Sequence, residues 1–159
     1  MQIIRKREIT EDDFVHVPDG APLPEGGKPI VTLARYTAER DALLARYSAL
    51  GVRVPPDKLP SDIPDLARLA LVALEFPKFT EGRPYSIARQ LRDRHGFEGE
   101  LRAVGWVLRD QLRYMERCGF DAFELKPGKP LESALEAFGE LQLTYQAAAD
   151  DPRPIYRRR

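Results

Sequence analysis

The second half of the chain switches repeatedly between two hydrophobic patterns, one typical of buried strands and one typical of amphipathic helices. Short apolar segments predict strands at 69–76, 101–105 and 121–125. Apolar residues at helical spacing predict helices at 85–95, 106–118 and 130–141. Gly96 and Gly119 follow the first two helices as terminators, and Pro130 suits the start of the third.

The same alternation begins at residue 28. The segment PIVTLARYTAERDALLARYSALG starts as a β-like run and passes into a helix that ends at Gly51, after which Val52 and Val54 predict the next strand. Strands separated by helices are typical of parallel sheets with right-handed crossovers. We therefore predict an α/β fold with a mostly parallel sheet and flanking helices. The pattern leaves open whether the sheet stays open or curls into part of a barrel.

The residues before this alternation predict a β-hairpin arm. MQIIRKREIT alternates apolar and charged residues as an edge or hairpin strand does, and EDDFVHV offers a short partner strand. We therefore divide the chain into an N-terminal hairpin arm and loop at 1–27, an α/β domain at 28–149 and a flexible basic tail at 150–159.

Composition narrows the class of protein. The 159 residues suit one domain, and 25 basic residues balance 25 acidic ones, which disfavours nucleic acid and membrane surfaces as partners. One cysteine, Cys118, and two separated histidines, His16 and His95, predict no metal centre. No flavin, haem or iron–sulfur signature occurs, so we expect no cofactor. Without a long apolar run or a signal-peptide start, we expect a soluble cytoplasmic protein.

Ligands of parallel α/β folds collect at the carboxyl ends of the strands, and one such corner follows the strand that ends at Phe76. It offers donors for a sulfate, phosphate or carboxylate from Lys78, Thr80, Arg83, Tyr85 and Ser86. In the alternative interpretation, Lys78 and Arg83 are solvated loop charges, Glu81 pairs with one of them, and Phe76 and Phe79 anchor the core.

The helix after Gly105 carries a stripe of arginines, because Arg109, Arg113 and Arg117 recur every four residues. With Arg102 and others, the span from 83 to 117 holds eight arginines against five acids. An acidic partner or an anionic ligand could use this excess, and a solvated face is the alternative. His95 and Cys118 suit structural roles, so no catalytic residue is assigned.

Three motifs, FPKFTEGRPYSIARQLR, GELRAVGWVLRDQLRYMERCGFDAFEL and YQAA, resemble the bacterial domain of unknown function 934. The resemblance covers about residues 69 to 149. Members are usually described as an oxidoreductase or an accessory protein of sulfite reduction, with genes beside those of sulfite or nitrite reductases. The resemblance thus implies a role in sulfur assimilation.

Two positions depart from the family pattern. Pro84 stands where a small flexible residue is usual, and Trp106 stands where the family usually has an aspartate. An aspartate after Gly105 would cap the following helix or serve as a catalytic carboxylate, and tryptophan can do neither. Trp106 instead suits a contact residue at the surface.

We therefore expect an accessory protein that binds sulfite reductase or its electron donor through the Lys78–Ser86 corner, Trp106 and the arginines Arg102, Arg109 and Arg113. The alternative is an enzyme or anion-binding module that holds a sulfur oxyanion at Lys78 and Arg83. The sequence does not determine the oligomeric state.

Overall fold

The computed structural model describes residues 1–139. Its strands are β1 (Gln2–Arg5), β2 (Glu8–Glu11), β3 (Phe14–His16), β4 (Lys28–Thr32), β5 (Gly51–Val54), β6 (Leu71–Phe76), β7 (Glu100–Gly105) and β8 (Ala122–Phe123). Its helices are α1 (Leu33–Arg46), α2 (Arg83–Asp93), α3 (Leu112–Cys118) and α4 (Leu131–Glu136). The predicted tail at 150–159 and the end of the predicted α/β domain, 140–149, lie outside the described residues.

The described strands form one eight-stranded sheet in the order β2-β1-β8-β7-β6-β5-β4-β3. Strands β3 to β8 run parallel to one another, whereas β1 pairs antiparallel with both β8 and β2. The predicted α/β class, with a mostly parallel sheet and an N-terminal hairpin, is confirmed.

One face of the sheet packs against the helices and forms the main core. Alternate strand residues such as Val52, Val72 and Phe76 point to this face, where they join Tyr36 of α1 and Leu91 of α2. Each of these five side chains is completely buried. Burial of apolar surface on this face is the main stabilising contribution to the fold.

The sheet curls into a half-barrel around its other face. His16 of β3 lies 2.7 Å from Glu124, which follows β8, although four strands separate β3 from β8. A flat sheet would hold β3 and β8 roughly 24 Å apart, five spacings of about 4.8 Å. Small inward-facing residues, Gly51, Ala73 and Ala122, leave room for this curvature.

The N-terminal hairpin is shorter than predicted. Strands β1 and β2 form it between Gln2 and Glu11, almost entirely within MQIIRKREIT, through a turn at Lys6 and Arg7, both with positive φ. The prediction that EDDFVHV supplies its partner strand was wrong, because β3 pairs in parallel with β4 at the opposite edge of the sheet. Arg102 binds Asp12 inside the half-barrel, and the chain crosses there from one edge to the other.

The helix predicted at 106–118 begins later than expected. Gly105 has φ +93°, and the chain then turns so that Val107 enters the core with no exposed surface. A 3₁₀ turn at Arg109–Gln111 leads into α3 at Leu112. Position 106 is therefore not a helix cap, and the capping role inferred for an aspartate there does not apply to this structure.

Candidate functional site

The predicted corner lies at the carboxyl end of β6, in the loop that leads into α2. Lys78, Thr80, Arg83 and Ser86 are all exposed there, and Tyr85 is half-buried. The ammonium group of Lys78 makes no hydrogen bond to any residue in the described part of the chain. The structure therefore brings the five predicted side chains to one loop and the first turn of α2, and four of the five are exposed to solvent.

Arg83 is already paired within this corner. Its Nε and Nη2 donate to the two carboxylate oxygens of Glu81 at 2.8 and 2.9 Å, and its backbone N–H donates to the same carboxylate at 3.1 Å. These hydrogen bonds from Arg83 lower the pKa of Glu81 to about 2, so the carboxylate stays charged at ordinary pH. Arg83 therefore contributes no net positive charge to the corner.

Exposed aromatic side chains adjoin the corner. Phe79, in the loop after β6, is 58% exposed and packs against Trp106, which follows β7 and is 36% exposed. Their ring centroids lie 6.3 Å apart. Gln111 fixes the loop by donating from Nε2 to the carbonyl oxygen of Phe79 at 3.0 Å. The alternative interpretation, in which Phe79 anchors the core, is not what the structure shows.

Lys126 lies over the ring of Trp106. The Nζ of Lys126 lies 3.1 Å from the ring centroid of Trp106, a cation–π contact that holds the ring in place. The backbone N–H of Lys126 also donates to the carbonyl oxygen of Val107 at 3.1 Å, which links the strand ends of β7 and β8. Trp106 is therefore held between Phe79 and Lys126.

A third exposed aromatic ring lies on α3, against the first turn of α2. Tyr114 is 60% exposed and lies 4.9 Å, between centroids, from Tyr85, which in turn contacts the buried ring of Phe76. Burial, followed by the proximity of Cys118 and Tyr114, raises the pKa of Tyr85 to about 12, so its hydroxyl stays neutral. We define the aromatic–basic surface as Lys78, Phe79, Trp106, Tyr114 and Lys126.

The arginine stripe is less regular than the sequence predicts. Arg109 lies in the 3₁₀ turn and donates from Nε to the carbonyl oxygen of Ser133 at 2.9 Å, which fixes the start of α4. Arg113 is half-buried on α3. Glu116, on the same helix, pairs with Arg7 at 2.8 Å. Arg109 therefore has a structural contact besides any role in binding.

Arg102 lies inside the half-barrel, away from solvent. Its guanidinium is completely buried and donates to Asp12 at 2.8 and 2.9 Å, to Glu100 at 2.8 Å and to Glu124 at 2.7 Å. Burial alone would lower the pKa of Arg102, but these carboxylates raise it above its ordinary value. A partner cannot reach a side chain that has no exposed surface, so Arg102 does not join the predicted site in space.

Sequence reasoning did not single out Tyr114, Lys126 or Phe79 as binding residues, and it offered Phe79 as a core anchor. All three residues lie beside apolar segments of the sequence. Hydrophobic periodicity predicts whether such a side chain is buried or solvated, but it does not identify the residues that the side chain contacts in the fold. Trp106 was the useful signal, because a large aromatic after a strand end suggests a contact residue.

The remaining chemistry of the described residues is limited. No group of three or more histidine, cysteine or carboxylate side chains within 1–139 is placed to hold a metal ion. Cys118 is buried at the end of α3. No helix in this part of the chain is long and apolar enough to cross a membrane.

Comparisons with known proteins identify the family. A family model described as a bacterial protein of unknown function (DUF934) matches residues 51–156, about two thirds of the chain. No curated protein and no solved structure matches the chain. The three motifs at 76–92, 99–125 and 145–148 all fall within the matched residues. The chain therefore belongs to the DUF934 family of bacterial proteins of unknown function.

Proposed function

We propose that the protein is an accessory protein of assimilatory sulfite reduction that docks a partner, sulfite reductase or its electron donor, on the aromatic–basic surface. The family resemblance supplies the link to sulfite reduction. The exposed pair of Phe79 and Trp106 supports docking, since protein surfaces that hold apolar rings in solvent mark interaction sites. Tryptophan and tyrosine are also enriched among residues that dominate binding energy.

The surface suits a partner that is apolar at the centre of the contact and acidic around it. Lys78 and Lys126 add positive charge, whereas Arg83 and Glu81 neutralise each other. Asp110 adds one exposed negative charge on the 3₁₀ turn. The small positive excess favours an acidic partner, and it mainly affects the association rate and its dependence on salt.

A binding measurement with purified sulfite reductase and with its electron donor tests the proposal. We expect Trp106→Ala to weaken association by roughly thirtyfold or more, because a central aromatic contact contributes about 2 kcal/mol or more. Lys126→Glu should weaken it as well, and more strongly at low salt than at moderate salt.

Val15→Ala is the matched control, because Val15 is 60% exposed on β3 at the edge of the sheet and is not part of the surface. It should leave association unchanged. If neither protein associates, or if association survives both surface substitutions, the proposal is wrong.

Deletion of the gene should prevent growth on sulfate but not on cysteine.

The alternative, a sulfur oxyanion held at Lys78 and Arg83, has less support from the geometry. Glu81 occupies Nε and Nη2 of Arg83, so this guanidinium has no free pair of Nη groups to bind an anion in parallel. Lys78 alone is an exposed, flexible cation. We therefore favour a protein partner at this corner.

A further inference from the structure

A cavity of about 590 Å³ opens at the carboxyl ends of β4, β5 and β6, and it shares no residue with the aromatic–basic surface. The carboxyl ends of parallel strands are where α/β folds hold their ligands. Its volume lies within the range of small-molecule sites, which runs from about 300 to 1,000 Å³. The cavity therefore has the place and the size of a ligand site.

A charged pair on two central strands forms part of its wall. Arg53 of β5 and Glu75 of β6 face the inside of the half-barrel, at alternate positions to the buried Val52 and Leu74. Strands of parallel sheets are usually apolar on both faces, and partial burial of two charges costs free energy. A pair at this position is thus better explained by a role in binding than by stability.

The geometry of the pair leaves part of the arginine available. Arg53 donates from Nε to Oε1 of Glu75 at 2.5 Å, and neither of its two Nη groups makes a hydrogen bond to a described residue. Glu75 thus holds the guanidinium by one side, while the two Nη groups remain as a fork. Such a fork binds the two oxygens of a carboxylate, phosphate or sulfate in parallel.

Three other charged groups line the cavity, the carboxylates of Asp19 and Asp62 and the ammonium group of Lys58. Asp19 accepts a hydrogen bond from the hydroxyl of Thr32 at 2.6 Å, and Asp62 accepts one from the backbone N–H of Leu59 at 2.8 Å. The ammonium group of Lys58 lines the cavity and makes no hydrogen bond or ion pair with residues 1–139. Asp19 and Asp62 therefore have hydrogen-bond donors of their own, whereas the ammonium group of Lys58 and the Nη groups of Arg53 have no acceptor among the described residues.

We propose that this cavity binds a small organic molecule that carries an oxyanion, with the oxyanion on the Nη fork of Arg53 and within reach of Lys58. The organic part packs against the apolar wall formed by Leu33, Ala34 and Pro55. An inorganic oxyanion would fill only a small part of the cavity, so the ligand requires this organic part. The site is independent of partner docking.

Titrations with three probes test the proposal: inorganic phosphate, phenyl phosphate and benzoate. The full chain is labelled with ¹⁵N so that the Arg53 Nε–H resonance reports binding. We expect saturable shifts with phenyl phosphate or benzoate at millimolar concentration, and binding at least several-fold weaker for inorganic phosphate. The comparison of phenyl phosphate with benzoate distinguishes a tetrahedral oxyanion from a carboxylate, because both carry the same ring.

Two substitutions and one control locate the site. Arg53→Gln removes the Nε–H reporter, so binding to both variants is followed by the backbone amide resonances of the residues that line the cavity. Arg53→Gln should abolish the saturable shifts of these resonances, and Lys58→Gln should weaken binding by roughly tenfold. The side chain of Lys58 is exposed and has no partner among the described residues, so we expect Lys58→Gln to fold normally. This variant therefore still tests the proposal if Arg53→Gln does not fold. Lys129→Gln, at an exposed lysine that belongs to neither the cavity nor the aromatic–basic surface, should change nothing. The proposal is wrong if no probe saturates, if Lys58→Gln binds like the unmodified protein, or if Lys129→Gln weakens binding as much as Lys58→Gln does.

Discussion

Arg102 shows how one residue organises the inside of the half-barrel. Its guanidinium is completely buried, and the side chain of Asp12 is only 2% exposed, while Glu100 and Glu124 are 13% and 15% exposed. Removing four charged groups from water costs several kcal/mol per ion unless each one is paired. Arg102 satisfies three carboxylates at once, and these come from three separate parts of the chain.

We predict that Arg102→Gln destabilises the protein by about 3–5 kcal/mol, because three partly or fully buried carboxylates lose their cation. Urea unfolding at neutral pH measures the change. Arg89→Gln is the control, since Arg89 pairs with Asp93 across one helical turn at the surface, and we expect it to cost under about 1 kcal/mol. Equal losses for the two variants would contradict the prediction.

At the scale of single elements, the end of β7 depends on a glycine. Gly105 has φ +93°, which side-chain-bearing residues rarely adopt, and a Cβ at this position would lie 2.6 Å from the carbonyl oxygen of Phe76. The backbone N–H of Trp106 donates to that same oxygen at 2.6 Å. The close approach of β7 to β6 therefore places Trp106 beside the loop that carries Phe79.

We expect Gly105→Ala to destabilise the protein by about 2–4 kcal/mol, because backbone strain adds to a clash that neither strand can avoid. Gly128→Ala is the matched control: its φ is +86°, but a Cβ there meets no atom within 4 Å, so it carries the strain alone. Thermal unfolding of both variants gives the comparison. A Gly105 variant as stable as the Gly128 variant would show that the clash is absent.

For the whole molecule, closure of the half-barrel depends on contacts between its first and last parallel strands. Glu124, after β8, accepts from Arg102 and contacts His16 of β3. Burial raises the pKa of Glu124, but the hydrogen bonds from His16 and Arg102 lower it more, so the net pKa lies below the ordinary value of 4.5. The charged form of Glu124 thus stabilises the folded state.

The lowered pKa of Glu124 determines how the stability of the protein depends on pH. The unfolded chain binds the proton of Glu124 more tightly than the folded protein, so the stabilisation is complete above the ordinary pKa and is lost as the pH falls through the lowered one. We predict that the urea midpoint declines below about pH 4.5 and that Glu124→Gln is less stable at neutral pH but declines less. Glu98→Gln, at an exposed glutamate, should keep the original slope. A Glu124 variant with an unchanged slope would refute this assignment.

Much of the fold could be predicted from the sequence because its elements carry local signals. The strand predicted from the apolar run that ends at Phe76 is confirmed as β6, and the glycines predicted to follow α2 and α3 do follow them. The strand β8 is shorter than predicted, and α3 begins later than predicted. The corner with Lys78 and Arg83 was placed correctly after β6. Its pairing with Glu81 had been foreseen only as an alternative, since a two-residue spacing does not determine whether side chains meet.

By itself, the sequence determined the order and type of the elements from residue 28 onward and the membership of the family, because both depend on patterns that neighbouring residues carry. Only the tertiary structure decided that the sheet curls, that β3 joins the edge opposite the hairpin, and that Arg102 lies inside while Phe79 lies outside. The contacts responsible join residues 90 positions apart for Arg102 and Asp12 and 108 apart for His16 and Glu124. Hydrophobic periodicity carries no signal over such separations, because which strands come together depends on the packing of the whole sheet.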